Sequence, residues 1–383
     1  QGSDAKVGTV DTDVLMKGKG VELREKIATF IGHGFLFAVT FAAATAILLI
    51  LIFVFREALP FFRKFSLSTL FESQNWYPTD DPPSFGALGI FAGSAMVTVC
   101  SCLIAVPMGI TAAVCLSDVV PFDVRQVVKP VIELLAAIPS VAYGFFALVI
   151  FAPLLQRQGG TLLAVGFWLL SAPIAFLAVV VISDIGSGLL SEKSRRIARA
   201  VIGVALGAVA LWVLYVVGRK IMGLAIPSGV NALNASIILA IMALPTVVSV
   251  CEDALTAVPR ELREGSYALG ATRAETMLKV VIPAARGGIL AAVLLGVMRA
   301  IGETMVVLMA AGNRIEVPQP LYNVLSGVRT LTATIALEMG ETAHGGEHYH
   351  ALFALGFCLV LFCFILNVVS EWAVRHTKKK LEG

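Results

Sequence analysis

The amino-acid sequence predicts an all-α integral membrane protein of about eight transmembrane helices, and three observations lead there. Hydrophobic residues fill 58% of the 383 positions and charged residues only 14%, against roughly 25% charged in a soluble domain. The apolar residues are gathered into long uncharged runs, most reaching the ~20 residues that a helix needs to cross a bilayer. Basic residues gather between those runs, mostly on alternate sides, as the positive-inside rule expects.

Taken in order, Gln1-Gly2-Ser3 is compatible with a remnant of tag cleavage, and no signal-peptide pattern precedes Phe35. Residues 1–34 are expected to be a cytosolic segment. The run Phe35 to Phe55 is the first span, and the charged, proline-containing stretch to Ser84, with Trp76 and Tyr77, reads as an external loop; together they make a unit at 35–85. A core is expected over 86–373. Its runs are Phe85 to Ser117, Leu134 to Gln156, Gln158 to Ser183, Ala200 to Gly218, Ile221 to Cys251, Gly287 to Asn313 (interrupted by Arg299 and Glu303) and Ala351 to Ser370. Residues 252–286 then form a cytosolic loop, 314–350 an external one and 374–383 a cytosolic tail. An inside N-terminus puts 20 of the 29 Lys and Arg on cytosolic segments and 8 outside. Both termini are therefore expected in the cytosol, although Arg219 and Lys220 fall outside against the rule.

The polar island from Leu262 to Pro283 carries its own structural signals. Thr272 followed by Glu275 reads as a capping box, with each side chain satisfying a free backbone N–H at a helix start. Pro259 suits a helix start and Gly270 the turn after one. Two short amphipathic helices joined by a glycine turn are expected, presenting Arg260, Glu261, Arg263 and Glu264 as a charged face.

Inside the spans, Arg299 lies about 17 Å from the cytosolic start of its helix, near the middle of a ~30 Å hydrocarbon core. A charge there costs at least ~2.5 kcal/mol, so it should face a partner or a wet cavity. Glu303 is expected one turn further on the same face. Two readings are open: an ion pair that fixes helix packing, or a route for an anion. In the second, Arg299 supplies charge and N–H donors, Glu303 neutralises it or accepts a bond from a protonated oxyanion, and Thr304 adds a weaker donor. The segments Ala137-Ile138-Pro139-Ser140 and Ala243-Leu244-Pro245-Thr246 echo each other near the cytosolic face. A proline in a span frees a carbonyl; Ser140 and Thr246 either line the inner mouth of a shared pathway or merely accompany ordinary kinks.

Other features exclude functions. Basic residues flank spans and form no single field, which argues against nucleic acid; the expected surroundings are membrane lipid. The six cysteines lie in or beside apolar runs, with no disulfide framework or zinc spacing. His344, His348 and His350 with Glu347 lack a tetrahedral-site pattern, so no metal site is expected, and they read as a solvated external cap. Glu133 reads as a carboxylate at a helix start, beside Lys129. The stretch Gly188 to Ser194 lacks the second glycine of a phosphate loop. No catalytic residue and no bound cofactor are expected on this chain.

The spacing Glu264-Gly265-Ser266, three residues, Gly270, nine residues, Val280-x-Ile282-Pro283 resembles the EAA loop of bacterial ABC importer permeases. The runs MRAIGETMVVLMAAGN from Met298, ELLAAIPSVAYGFF from Glu133 and TLTATIALEMGETAHGGEHYHALF from Thr330 resemble the PstC-type permeases of the phosphate-specific ABC importer. That resemblance implies a type I importer permease core in the bacterial inner membrane, with two helices at about 159–227 added to its usual six. It further implies that Arg260, Glu261, Arg263, Glu264, Gly270, Thr272 and Glu275 form a coupling helix held by an ATPase. The implied partners are a PstA-like second permease, two PstB-like ATPases carrying ATP and Mg, and a PstS-like phosphate-binding protein. Rival expectations are a permease for sulfate or molybdate, a secondary transporter or channel without ATPases, and a membrane subunit reporting phosphate status.

Overall fold

A computed structural model describes residues 19–187 and 192–382. Gln1–Ser3 and the glycine at 188 lie outside the described residues.

Helix α1 spans Lys19–Lys64 and leads to the short α2, Thr69–Glu72. Strands β1, Trp76–Tyr77, and β2, Ser84–Phe85, pair antiparallel with Trp76 opposite Phe85. Helix α3, Leu88–Val114, widens into a π-type turn at Cys115–Val119. Helices α4, Phe122–Ala136, and α5, Ser140–Phe146, follow. A second wide turn, Ala147–Phe151, leads into α6, Ala152–Ser187, and then α7 covers Glu192–Met222. Helix α8 is Ala232–Thr256, α9 Arg260–Ala268 and α10 Arg273–Thr276; a third wide turn runs into α11, Ile282–Ile301. Helices α12, Met305–Ala310, α13, Leu331–Glu338, and α14, Glu347–Glu382, complete the chain.

Among the described residues, seven helical stretches are long and apolar enough to cross a membrane, where the sequence suggests about eight. The runs on either side of Arg157 remain two helices, since α6 is kinked at Gln158 (φ −129°, ψ 15°), and only its part up to Leu169 enters that count of seven. Two boundaries also move. The expected span from Leu134 begins only at Ser140, because Ile138 and Pro139 break the chain and Pro139 sits extended (φ −58°, ψ 137°) at the start of α5. Glu133 consequently lies in the last turn of α4 and starts no helix.

Helix α8 is the axis of the bundle: 61% of its apolar window is buried inside the chain, against none for α1 or α7. Gly109 of α3 and Gly296 of α11 both leave room for Val247, since a Cβ at either would come within 2.7 Å of that side chain. Small residues at such crossings let helices approach closely where no water drives them together. A central apolar cluster joins Val97, Ile238, Leu239, Met242, Ala300 and Val306, and a second, at the end of the bundle beside α9 and α10, joins Leu116, Val248, Cys251, Leu255, Met277 and Val281.

At the opposite end, Glu338 ties three segments together. It accepts from Trp76 Nε1 at 2.9 Å, Arg329 Nη1 at 2.6 Å and His348 Nε2 at 2.8 Å. His350 Nδ1 bonds the Glu57 carbonyl at 2.7 Å. His348 and His350 are thus folded into the wall of the bundle instead of forming a solvated cap. Helices α6 and α7 make an antiparallel hairpin: Trp168 Nε1 donates to the Leu214 carbonyl at 2.9 Å and lies over Gly218, while Gly160 meets the Met222 carbonyl.

Candidate functional site

Two places carry the chemistry expected from the sequence. The first is at Arg299. Its Nη1 donates to Thr246 Oγ1 of α8 at 3.4 Å, a long bond, and its Nε is buried without a hydrogen-bond partner. Leaving a buried charged donor unmet costs more than the ~1–3 kcal/mol of a neutral one, so this N–H calls for an acceptor. The structure brings Arg299 and Thr246 together across 53 residues of chain.

It does not place Glu303 as expected. Helix α11 stops at Ile301 with Gly302 as its cap, so Glu303 is in the link to α12 and not one helical turn beyond Arg299. Among the described residues no ion pair joins the two. Instead the Glu303 carbonyl accepts from Thr332 Oγ1 of α13 at 2.7 Å, and its N–H reaches the Ala300 carbonyl at 3.4 Å. Thr304, half-buried, leads into α12. Glycine is tolerated in membrane helices, and for that reason nothing in the local sequence forces the break; Thr332, which holds it, lies 29 residues away. Ser140 begins α5 and accompanies no kink, whereas Pro245 is inside α8. One turn beyond Ser140, Gly144 packs against the Met305 carbonyl and Val306, which seats α5 beside the segment that follows Thr304.

The second place is the loop from Arg260 to Val281. The capping box forms with both of its bonds: the Glu275 N–H donates to Thr272 Oγ1 at 3.3 Å and the Thr272 N–H to Glu275 Oε2 at 3.0 Å. Gly270 takes φ +82°, which ends α9 and turns the chain into α10. Arg260, Glu261 and Glu264 are exposed, as are Tyr267 and, at 91%, Leu269. Arg263 leaves the expected charged face. Its Nη1 lies 3.4 Å from Asp118 Oδ1 and its Nη2 donates to the Leu255 carbonyl at 2.8 Å, so it ties α9 to the ends of α3 and α8.

Beside that tie is a cluster the sequence reading missed. Glu252, wholly buried near the end of α8, pairs with Arg125 and, at 2.7 Å, with Lys129 of α4, and takes the Thr256 hydroxyl at 2.9 Å. Lys129 also reaches Asp253 at 2.6 Å. The signal available was the spacing of Arg125 and Lys129, one turn apart on one face of an amphipathic helix.

Residues 105–382 match the family described as the binding-protein-dependent transport system inner membrane component. The chain belongs to this family. Among its relatives, the probable ABC transporter permease protein YqgH of Bacillus subtilis is 32% identical over 80% of this permease and 77% of that protein. The phosphate transport system permease protein PstC of Pasteurella multocida is 30% identical over 83% of each chain. PstC of Mesorhizobium japonicum is 30% identical over 88% of each. Among solved structures, a chain from inward-facing crystals of the MetNI methionine ABC transporter is 16% identical, with a TM-score of 0.42, and covers 76% of this permease and 94% of that chain. The permease is thus a multi-pass helical membrane protein of the ABC importer class.

Proposed function

We propose that this permease forms half of the translocation path of an ATP-driven phosphate importer. The observation that carries the reading is Arg299, a half-buried guanidinium whose buried Nε has no partner among the described residues and whose Nη1 reaches Thr246 at 3.4 Å. Relatives named as phosphate permeases across most of the chain support the choice of anion. Arg299 would bind the oxyanion, while Glu303, Thr304, Ser140 and Thr246 line its route. Glu303 could accept a bond from a protonated oxyanion, which favours phosphate over sulfate near neutral pH.

In this reading both termini are cytosolic, in the bacterial inner membrane. A PstA-like permease supplies the other half, a PstS-like protein delivers phosphate from outside, and two PstB-like subunits bind ATP and Mg. The exposed apolar tip at Leu269, flanked by Arg260, Glu261 and Glu264, suits a groove on those ATPases. Their closure would push α9, and Arg263 would pass the push to α8 and hence to Thr246. This chain needs no cofactor of its own.

The test is phosphate uptake into liposomes carrying the permease with its co-purifying partners. Uptake that requires both ATP and the binding protein is expected. ATP-independent uptake by this chain alone overturns the proposal, and preferential sulfate or molybdate uptake changes the substrate. Reversing one charge, Glu264→Lys, is expected to leave ATP hydrolysis running while uptake per ATP falls about tenfold, if the lost contact is worth the ~1.4 kcal/mol of a tenfold change. An unchanged ratio removes Glu264 from the contact.

A further inference from the structure

A second arginine stands at the outer end of the same path. Gly312 and Asn313 both take left-handed backbone angles, φ 84° and 54°. That double turn is fixed in place: a Cβ on Gly312 would lie 2.6 Å from the Val230 carbonyl, and the Asn313 Oδ1 accepts from Arg329 Nε at 2.6 Å. The turn throws Arg314 sideways across Gly327, whose missing Cβ would sit 3.1 Å from the Arg314 Cγ and Cδ. The stem is therefore seated, while its guanidinium makes no hydrogen bond or ion pair among the described residues.

Two cavities flank that side chain. One, of about 410 Å³, is lined by Arg314 with Gln74, Glu316, Asn323 and Ser326. The other, of about 560 Å³, shares Arg314, Asn323 and Ser326 and adds Ser228. The polar atoms fall into two kinds. Asn323 Oδ1 already accepts the Leu325 N–H at 3.2 Å, which leaves its amide N–H groups free to donate beside the guanidinium. Ser326 and Ser228 spend their protons on the Asn323 and Val230 carbonyls, so their oxygens are left to accept, as is the Glu316 carboxylate.

We infer that Arg314 and these neighbours form an outer staging site for a protonated oxyanion. Donors meet its charged oxygens, and Glu316 or a serine oxygen meets its proton. Here the arginine and glutamate are two residues apart in sequence, and the six residues of α12, about 9 Å of helix, separate them from the segment of Glu303 and Thr304. A carboxylate on a docking protein would satisfy the guanidinium but not the acceptors in the cavities. The ligand class follows the phosphate-import reading; the site itself rests on its own geometry.

The experiment uses the permease with its partners in lipid nanodiscs, its native cysteines replaced and a nitroxide attached at Gln74→Cys. Inorganic phosphate is the probe, and the paramagnetic broadening of its ³¹P resonance is titrated. Arg314→Ala is expected to weaken the titration about tenfold, the usual scale for losing a hydrogen bond to a charged group, and Arg299→Ala to leave it unchanged. Arg314→Ala folds normally on this view, because the side chain is exposed and bonded to nothing, and Arg314→Lys should recover part of the effect. Broadening that is indifferent to Arg314→Ala overturns the inference. So does a variant that loses only its affinity for the binding protein. If wild type shows the arginine-dependent broadening but no ATP-driven uptake, the import reading fails and the staging site stands.

Discussion

Arg299→Lys is expected to lower the initial rate of phosphate uptake about 100-fold, the scale of removing one preorganised donor from developing or bound anionic charge, while the protein still co-purifies with its partners. Lysine keeps the charge but replaces a planar fork with a single point donor. In the structure the fork is divided: Nη1 is committed to Thr246 and Nε waits unpaired. Lysine cannot hold Thr246 and meet an oxyanion with the same geometry. Arg299→Ala should lose uptake altogether, since among the described residues no other cation is in bonding contact with Thr246. The readout is phosphate entering liposomes in the first seconds after ATP is supplied. Rates within about threefold of wild type, less than half of the tenfold step worth 1.36 kcal/mol, remove Arg299 from the path.

Joint replacement of Arg125 and Lys129 by methionine is expected to open the C-terminal end of α8. Glu252 is wholly buried, and the two cations are what make its burial tolerable. Stripped of them it retains only the Thr256 hydroxyl, and breaking a buried pair in this way typically costs about 3–5 kcal/mol. The adjacent Cys251, also wholly buried, reports the opening. With Cys251 as the single cysteine, its alkylation should accelerate about 100-fold or more, since a local opening population grows with the lost free energy. Adding Glu252→Leu to the double variant removes the stranded carboxylate and should restore most of the protection. Alkylation unchanged by the double variant would mean that the cluster holds nothing.

What could be read from the sequence follows the distance between partners. The loop at Thr272 and Glu275 was legible because both capping bonds close within three residues and Gly270 supplies its own turn. The spans were legible because hydrophobic length alone sets them. Arg299 declared itself by being charged in an apolar run. Its geometry did not: Gly302 stops the helix in concert with Thr332, and no local pattern announces a partner 29 residues on. The local pattern puts Arg263 on the charged face of the loop for the same reason, since Asp118, which turns it inward, lies 145 positions earlier. Glu252, a carboxylate at the end of an apolar run, looks like a boundary until Arg125 and Lys129 arrive from another helix. Pairs that meet only through the tertiary fold are invisible to periodicity, and in this chain they are the ones that join the loop to the bundle.

The hairpin of α6 and α7 has a consequence for how this chain tolerates change. Its two feet stand side by side, with Gly160 against the Met222 and Leu224 carbonyls and Gln156 Nε2 bonded to the Pro227 carbonyl at 3.3 Å. A ribbon that leaves and returns at one point behaves as a cassette. It can lengthen, shorten or diverge in sequence without obliging α8 to shift, because the stitch at its base, and not its length, sets where the chain resumes.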